Sequence, residues 1–169
     1  LFSLDDKYIF YSRLDENHRP KKIFRHEIGT SSEKDNLIFH EKTDAFTVSI
    51  NLSSDEKYYL ITSSDHNTSE QYYFDVNEKN PIPKLIQKRD KGVIYSVNSW
   101  NGFFYMHTNK EAEDFKISRT KNTNFDKWET FIPSKNETLI GGLTFLENWI
   151  IRSEVTNALE KLFVRNLNT

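Results

Sequence analysis

Ser63, Ser64, Asp65, His66, Ser69 and Glu70 fall within eight positions, in the stretch TSSDHNTSEQYYFD (62–75). Ser, His and Asp are the parts of a nucleophilic triad, and His with Asp can ligate a metal. Two features argue against either chemistry. Triad members usually converge from distant segments, because nucleophile, base and orienting carboxylate must meet in a line. No G-x-S-x-G elbow occurs in the chain to hold a serine exposed on a strained turn. The stretch instead lies between two apolar runs, YYLIT (58–62) and EQYYFDV (70–76). There Asp, Asn, Ser and Thr side chains bond nearby backbone groups that a strand ladder leaves unpaired. The expected role is a polar turn.

Other candidate residues lead to similar readings. His18, His26, His40, His66 and His107 form no H-E-x-x-H and no His/carboxylate pair at metal spacing. His26 and His107 sit in strand-like runs, where a packed or hydrogen-bonded imidazole is expected. The triplets at Asn51, Asn67 and Asn136 match the glycosylation pattern, which matters only after secretion. The segment EKNPIPK (78–84) is expected to be a proline-stiffened link between strands. No residue is assigned a catalytic, cofactor-binding or metal-binding role, and no cofactor is expected.

The elements that hold these residues are short. Runs such as YIFYS (8–12), KIFRHEI (22–28), NLIFHE (36–41), YYLITS (58–63) and FFYMHT (103–108) are rich in β-branched and aromatic residues. Asn, Asp, Ser, Lys and Gly bound them, which is the pattern of strands. No stretch keeps the i, i+3, i+4, i+7 spacing of an amphipathic helix over three turns. The predicted class is all-β.

Internal repetition decides between a sandwich, a barrel and a propeller. The segments starting at Ser49, Ser96 and Gly142 each read as a strand, a polar turn and a fuller apolar strand. The turns fall at Asp5-Asp6-Lys7, Asp55-Glu56-Lys57, Asn101-Gly102 and Glu147-Asn148, each roughly 46–49 residues after the last, the length of a four-stranded propeller blade. Blades pack face to face, so inner strands bury both faces. Consecutive apolar residues in YYLI, FFYM and WII fit that demand better than a one-faced sandwich strand does. The repeat predicts a partial β-propeller, an arc of about four blades. Two are whole (43–90 and 91–135) and two incomplete (1–42 and 136–169), as a fragment of a larger protein.

Bulk properties limit partners. With 23 Lys+Arg against 25 Asp+Glu, net charge is −2, which gives no electrostatic reason to expect nucleic acid or an anionic membrane. No apolar run approaches the ~20 residues of a membrane helix. The chain has no cysteine, hence no disulfide framework and no thiolate metal site.

The succession YSRLDENHRPKKIFRHEIGT, LIFHEKTDAFTVSI, YYLITSSDHNTSEQYYFD, KGVIYSVNSWNGFFYMHTNKEAEDFKI and WETFIPSKNETLIGGLTF resembles the propeller of serine peptidases of the prolyl oligopeptidase family, in its oligopeptidase B (protease II) branch. The resemblance runs in order along essentially the whole chain, although the composition is unusually rich in Lys, Asn, Ile and Tyr. It implies a seven-bladed propeller capping an α/β-hydrolase domain that carries Ser, Asp and His. It also implies a cytoplasmic enzyme that cuts short peptides after Lys or Arg behind a narrow entrance. No triad motif is present, so no catalytic residue carries over and the fragment is expected to be inactive alone. Implied partners are the hydrolase domain and short peptides. The cut arc itself is expected to expose Tyr8, Phe10 and Ile23 at one end and Trp149, Ile151, Leu162 and Phe163 at the other, and to self-associate through these blade ends. Two alternatives remain open. A WD-repeat-like scaffold lacks its Trp-Asp and Gly-His marks here. A propeller glycosidase would need paired carboxylates on innermost strands, which here read TVSINLS, YSVNSWN and IGGLTFL.

Overall fold

A computed structural model describes residues 1–167. The chain forms two compact units, one spanning Leu1–Gly92 and one running from Val93 onward. Every sheet in both is antiparallel, and strands pair in the order in which they follow one another along the chain.

The first unit holds two sheets. In the first, β1 (Tyr8–Leu14), β2 (Pro20–Glu27) and β3 (Asn36–His40) pair in that order, with a 3-10 turn at Ser32–Lys34. A bridge joins Phe2 to Ile9 outside β1. In the second, β4 (Thr47–Leu52), β5 (Tyr58–Ser64), β6 (Ser69–Asp75) and β7 (Lys84–Gln87) form a four-stranded meander. The second unit repeats the plan. It has a four-stranded sheet of β8 (Tyr95–Trp100), β9 (Phe103–Thr108), β10 (Lys116–Lys121) and β11 (Glu129–Ile132). Beside it stands a three-stranded sheet of β12 (Thr138–Leu146), β13 (Trp149–Thr156) and β14 (Leu159–Asn166). No α-helix occurs among the described residues. The all-β class is met, and the meanders are those of propeller blades.

Burial follows the expected two-faced pattern in two of three strands. Tyr59, Leu60 and Ile61 in β5 are all buried, as are Phe104, Tyr105 and Met106 in β9. Successive side chains in a strand point to opposite faces, so three buried in a row means that both faces are covered. The expectation fails for WII in β13. Ile150 is buried, but Trp149 at the strand start is 42% exposed. Its cross-strand partners are Asn166 and Leu146, which is itself 47% exposed.

One core joins the two sheets of the first unit through Phe10, Ile23, Val48, Tyr59, Ile61 and Phe74. Phe10, Tyr59 and Phe74 meet with centroids 4.6–5.9 Å apart. The second unit's core is built by Tyr105, Ile117, Ile132, Ile140, Phe145 and Ile150. Each large side chain withdrawn from water contributes on the order of 1.5–3 kcal/mol before ordering entropy is counted.

Turn chemistry repeats as closely as the strands. In SLDDKY (3–8) and SSDEKY (53–58) the Ser hydroxyl donates to the Asp two residues on, at 2.7 and 2.8 Å. It then accepts the Tyr N–H five residues on, at 2.9 and 3.0 Å. Asp6 and Glu56 both take φ of +57°, which lets the chain reverse at that point. Local sequence therefore fixes the hairpin, and the hairpin fixes which face of the next strand enters the core.

Candidate functional site

The flagged stretch divides in two. Its middle is the turn between β5 and β6. Asp65 Oδ1 accepts the N–H groups of Asn67 and Thr68 at 2.9 and 2.7 Å, and Asp65 N–H donates to the Thr68 carbonyl at 3.0 Å. The hydrogen bond from Asn67, against a smaller opposing effect of desolvation, holds the Asp65 carboxyl below its usual range. His66 is exposed on this turn. This is the polar-turn role read from the residue types.

The flanks do something the sequence did not show. Ser63 is fully buried and its hydroxyl donates to Glu41 Oε2 at 2.5 Å. Glu70, on β6, receives Arg89 Nε and Nη2 on Oε2 at 2.9 and 2.7 Å, and Arg89 N–H on Oε1 at 3.0 Å. The same Nη2 reaches Glu41 Oε2 at 2.7 Å. Tyr72 donates its hydroxyl to Glu70 at 2.9 Å, and the guanidinium lies 4.1 Å above the Phe46 ring. One arginine thus bridges two carboxylates that are each 5% exposed. Burial opposes ionisation of Glu41, but hydrogen bonds from Ser63, Arg89 and Thr43 outweigh it and hold the carboxyl at about 2. Burial and the bond to Glu70 push the Tyr72 hydroxyl up to about 12.

This cluster has no nucleophile. Ser63 donates to a carboxylate that is already ionised and paired, has no imidazole partner and does not meet solvent. Activation of a serine needs an adjacent base free to accept its proton. The arrangement ties the segment just after β3 to β5, β6 and the segment after β7, across the two sheets of the first unit. Glu41 and Arg89 are 48 residues apart, so no local spacing signals the pair. The one hint was Glu70 in register with Tyr72 and Phe74 on one face of β6, a carboxylate at an inward position.

The second unit carries a counterpart of opposite charge. Glu154, 4% exposed, receives Lys135 Nζ at 2.8 and 2.6 Å on its two oxygens and Arg152 Nε at 2.7 Å. Arg152 and Lys135 also face the Phe163 ring, at 4.5 and 5.2 Å. Burial opposes ionisation of Glu154, but the two cations outweigh it and keep the carboxyl below its usual range.

The strand histidines are hydrogen-bonded, as anticipated. His26 Nδ1 lies 2.7 Å from Asp35, which also accepts the Tyr11 hydroxyl at 2.6 Å. His107 stacks on Phe115 at 4.5 Å and donates Nε2–H to the Ile140 carbonyl at 2.7 Å. Burial lowers its pKa. No group of three or more His, Asp or Glu able to hold a metal occurs among the described residues.

Comparison with known proteins gives this architecture its context. Residues 3–169 match the family model described as prolyl oligopeptidase, N-terminal beta-propeller domain. Protease 2 of Moraxella lacunata is 37% identical over 112 residues, covering 66% of this chain and 16% of that protein. The human prolyl endopeptidase-like protein is 28% identical over 139 residues, covering 80% of this chain and 19% of its own length. The chain thus spans about a fifth of the length of the curated relatives it matches. Oligopeptidase B from Trypanosoma brucei, in a closed form with covalently bound antipain, superposes with a TM-score of 0.89 at 25% identity, over 95% of this chain and 23% of that one. Oligopeptidase B from Leishmania major superposes at 0.92 with 19% identity, over 98% of this chain and 24% of that one. Sheet order, repeated turns and the match along residues 3–169 agree: this chain belongs to the N-terminal β-propeller domain family of the prolyl oligopeptidases.

Proposed function

We propose that this chain is the gating part of a serine oligopeptidase that cuts short peptides after Lys or Arg. In this reading a seven-bladed propeller, of which 43–90 and 91–135 are whole blades, covers a hydrolase domain and admits only peptides narrow enough to pass. The observation that carries the proposal is the family match along residues 3–169. The polar clusters support it, since both are spent on tying strands together and neither pairs a nucleophile with a base. The partners in this reading are the hydrolase domain and short peptides, and the location is cytoplasmic. No helix among the described residues is long and apolar enough to cross a membrane.

Two measurements test it. The 169-residue chain is expected to hydrolyse no Arg or Lys ester or amide. Turnover that survives repurification and is blocked by a serine-directed inhibitor would refute this. In the parent polypeptide, a Gly-x-Ser-x-Gly segment downstream and cleavage of Arg-containing peptides but not of a folded protein are expected. A parent without that segment would favour the scaffold reading.

The isolated chain is also proposed to self-associate. The expected exposure fails at the first end, where Phe10 and Ile23 are buried in the core of the first unit. At the other end Leu159, Leu162 and Val164 of β14 are 60–69% exposed, and exposed apolar strands tend to recruit a partner. Light scattering across a dilution series checks this, and a strict monomer would refute it.

A further inference from the structure

The inward face of β2 carries Lys21, Ile23 and Arg25 in alternation, and all three are buried. The two cations are treated differently. Lys21 Nζ donates to the carbonyls of Thr43 and Asp44 at 2.7 and 2.8 Å, and also to that of Phe46, so its three donors are spent. Arg25 is 7% exposed and makes one hydrogen bond, from Nη1 to the Lys79 carbonyl at 2.8 Å. Its guanidinium faces the Tyr8 ring at 4.4 Å. Its Nε–H is buried with no acceptor among the described residues.

Arg25 lines a cleft of about 550 Å³ at the turn end of the first unit. Tyr8, Phe10, Phe74 and Val76 give the cleft an apolar wall. Tyr59 also lines the cleft, with its hydroxyl buried behind the wall. The Leu4 N–H approaches its oxygen, but its own proton has no acceptor among the described residues. Two carboxylates stand in the lining and neither pairs with Arg25. Asp5 is held by Ser3 and Lys7, and Glu78 by Lys84. A buried guanidinium without a counter-charge is costly. Water can satisfy an N–H but cannot balance the charge. The matching partner for a planar fork of N–H donors is a planar acid group.

We propose that this cleft binds a carboxylate carried on an apolar body. The carboxylate sits against the Arg25 guanidinium and leaves its carbon body on the aromatic wall. The source is either a free organic acid or an acidic side chain of a peptide. This inference is independent of the gating proposal, because it concerns the first unit alone and needs no hydrolase domain.

The test is a set of NMR titrations of the full 169-residue chain with three probes. These are phenylacetate, its neutral isostere phenylacetamide, and an N-acetyl-Phe-Glu amide whose only carboxylate is the side chain. Phenylacetate is expected to shift the Arg25 Nε–H and the Tyr8 and Tyr59 ring signals, with a Kd in the millimolar range. The amide is expected to bind at least about tenfold more weakly, the loss that follows when a charge-assisted contact goes. Arg25→Met is expected to abolish the difference between acid and amide. Tighter binding of the dipeptide identifies a peptide ligand, and tighter binding of phenylacetate a free acid. Equal affinity for acid and amide in the unaltered protein would overturn the proposal without any variant. So would the absence of shifts at Arg25 and Tyr59 with every probe.

Discussion

The buried ionic clusters of the two units solve one problem with opposite stoichiometry. In the first, a single cation, Arg89, stands between two carboxylates, Glu41 and Glu70. In the second, a single carboxylate, Glu154, stands between two cations, Lys135 and Arg152. The difference lies in what remains when the shared member is removed. Carboxylates have short side chains and cannot retreat to water, and both Glu41 and Glu70 are 5% exposed. Lys135 keeps a side chain 41% exposed and has a flexible stem, so it can reach solvent without its partner. The first cluster should therefore be brittle and the second forgiving.

The largest expected effect follows directly. Arg89→Ala should destabilise the first unit by about 3–5 kcal/mol, the cost of leaving buried charges uncompensated. Glu154→Gln should cost the second unit only about 1–2 kcal/mol. Urea melts followed by hydrogen exchange, resolved by segment, would measure both. Equal losses would show that exposure of the orphaned partner does not set the cost.

Acid should separate the units by a different route. In the first, the Glu41 carboxyl is at about 2 against an ordinary 4.5. The unfolded chain therefore takes up the proton first, and stability present above pH 4.5 is lost as pH falls toward 2, about 3 kcal/mol in all. In the second, burial lowers His107 below its usual 6.5. The unfolded imidazole protonates first there too, so the second unit starts to weaken as pH drops below 6.5. Hydrogen exchange between pH 7 and 5 should loosen peptides around His107 while those around Glu41 hold. His107→Gln should remove that early phase.

The smallest effects concern the turn between the flanks. Asp65→Ala should cost about 1 kcal/mol through the lost bonds to Asn67 and Thr68. His66→Ala should stay within about 0.5 kcal/mol, because His66 is exposed on the turn. Stoichiometric zinc or manganese lost on changing His66 would reverse the turn assignment.

The sequence by itself determined what depends on near neighbours. Strand positions follow from β-branched and aromatic runs, because a strand's preference is set by its own side chains and its bounding turns. The turns at Asp5-Asp6-Lys7 and Asp55-Glu56-Lys57 were legible because the bonds that close them, from Ser3 to Asp5 and from Ser53 to Asp55, join residues two apart. So was the role of Asp65. Tertiary structure alone decided which polar side chains were buried and with whom. Ser63 and Glu70 looked like members of the polar turn, yet they lie in a buried network whose key cation is Arg89. KIFRHEI was legible as a strand, but not the pleat that turns Arg25 inward beside Ile23. Phe10 and Ile23 looked like an exposed blade end and are buried, whereas Trp149 at the other end meets water as the cut arc predicts. The physical reason is the same in each case. A side chain's burial depends on what the neighbouring sheet places against it, and that sheet comes from sequence tens of residues away.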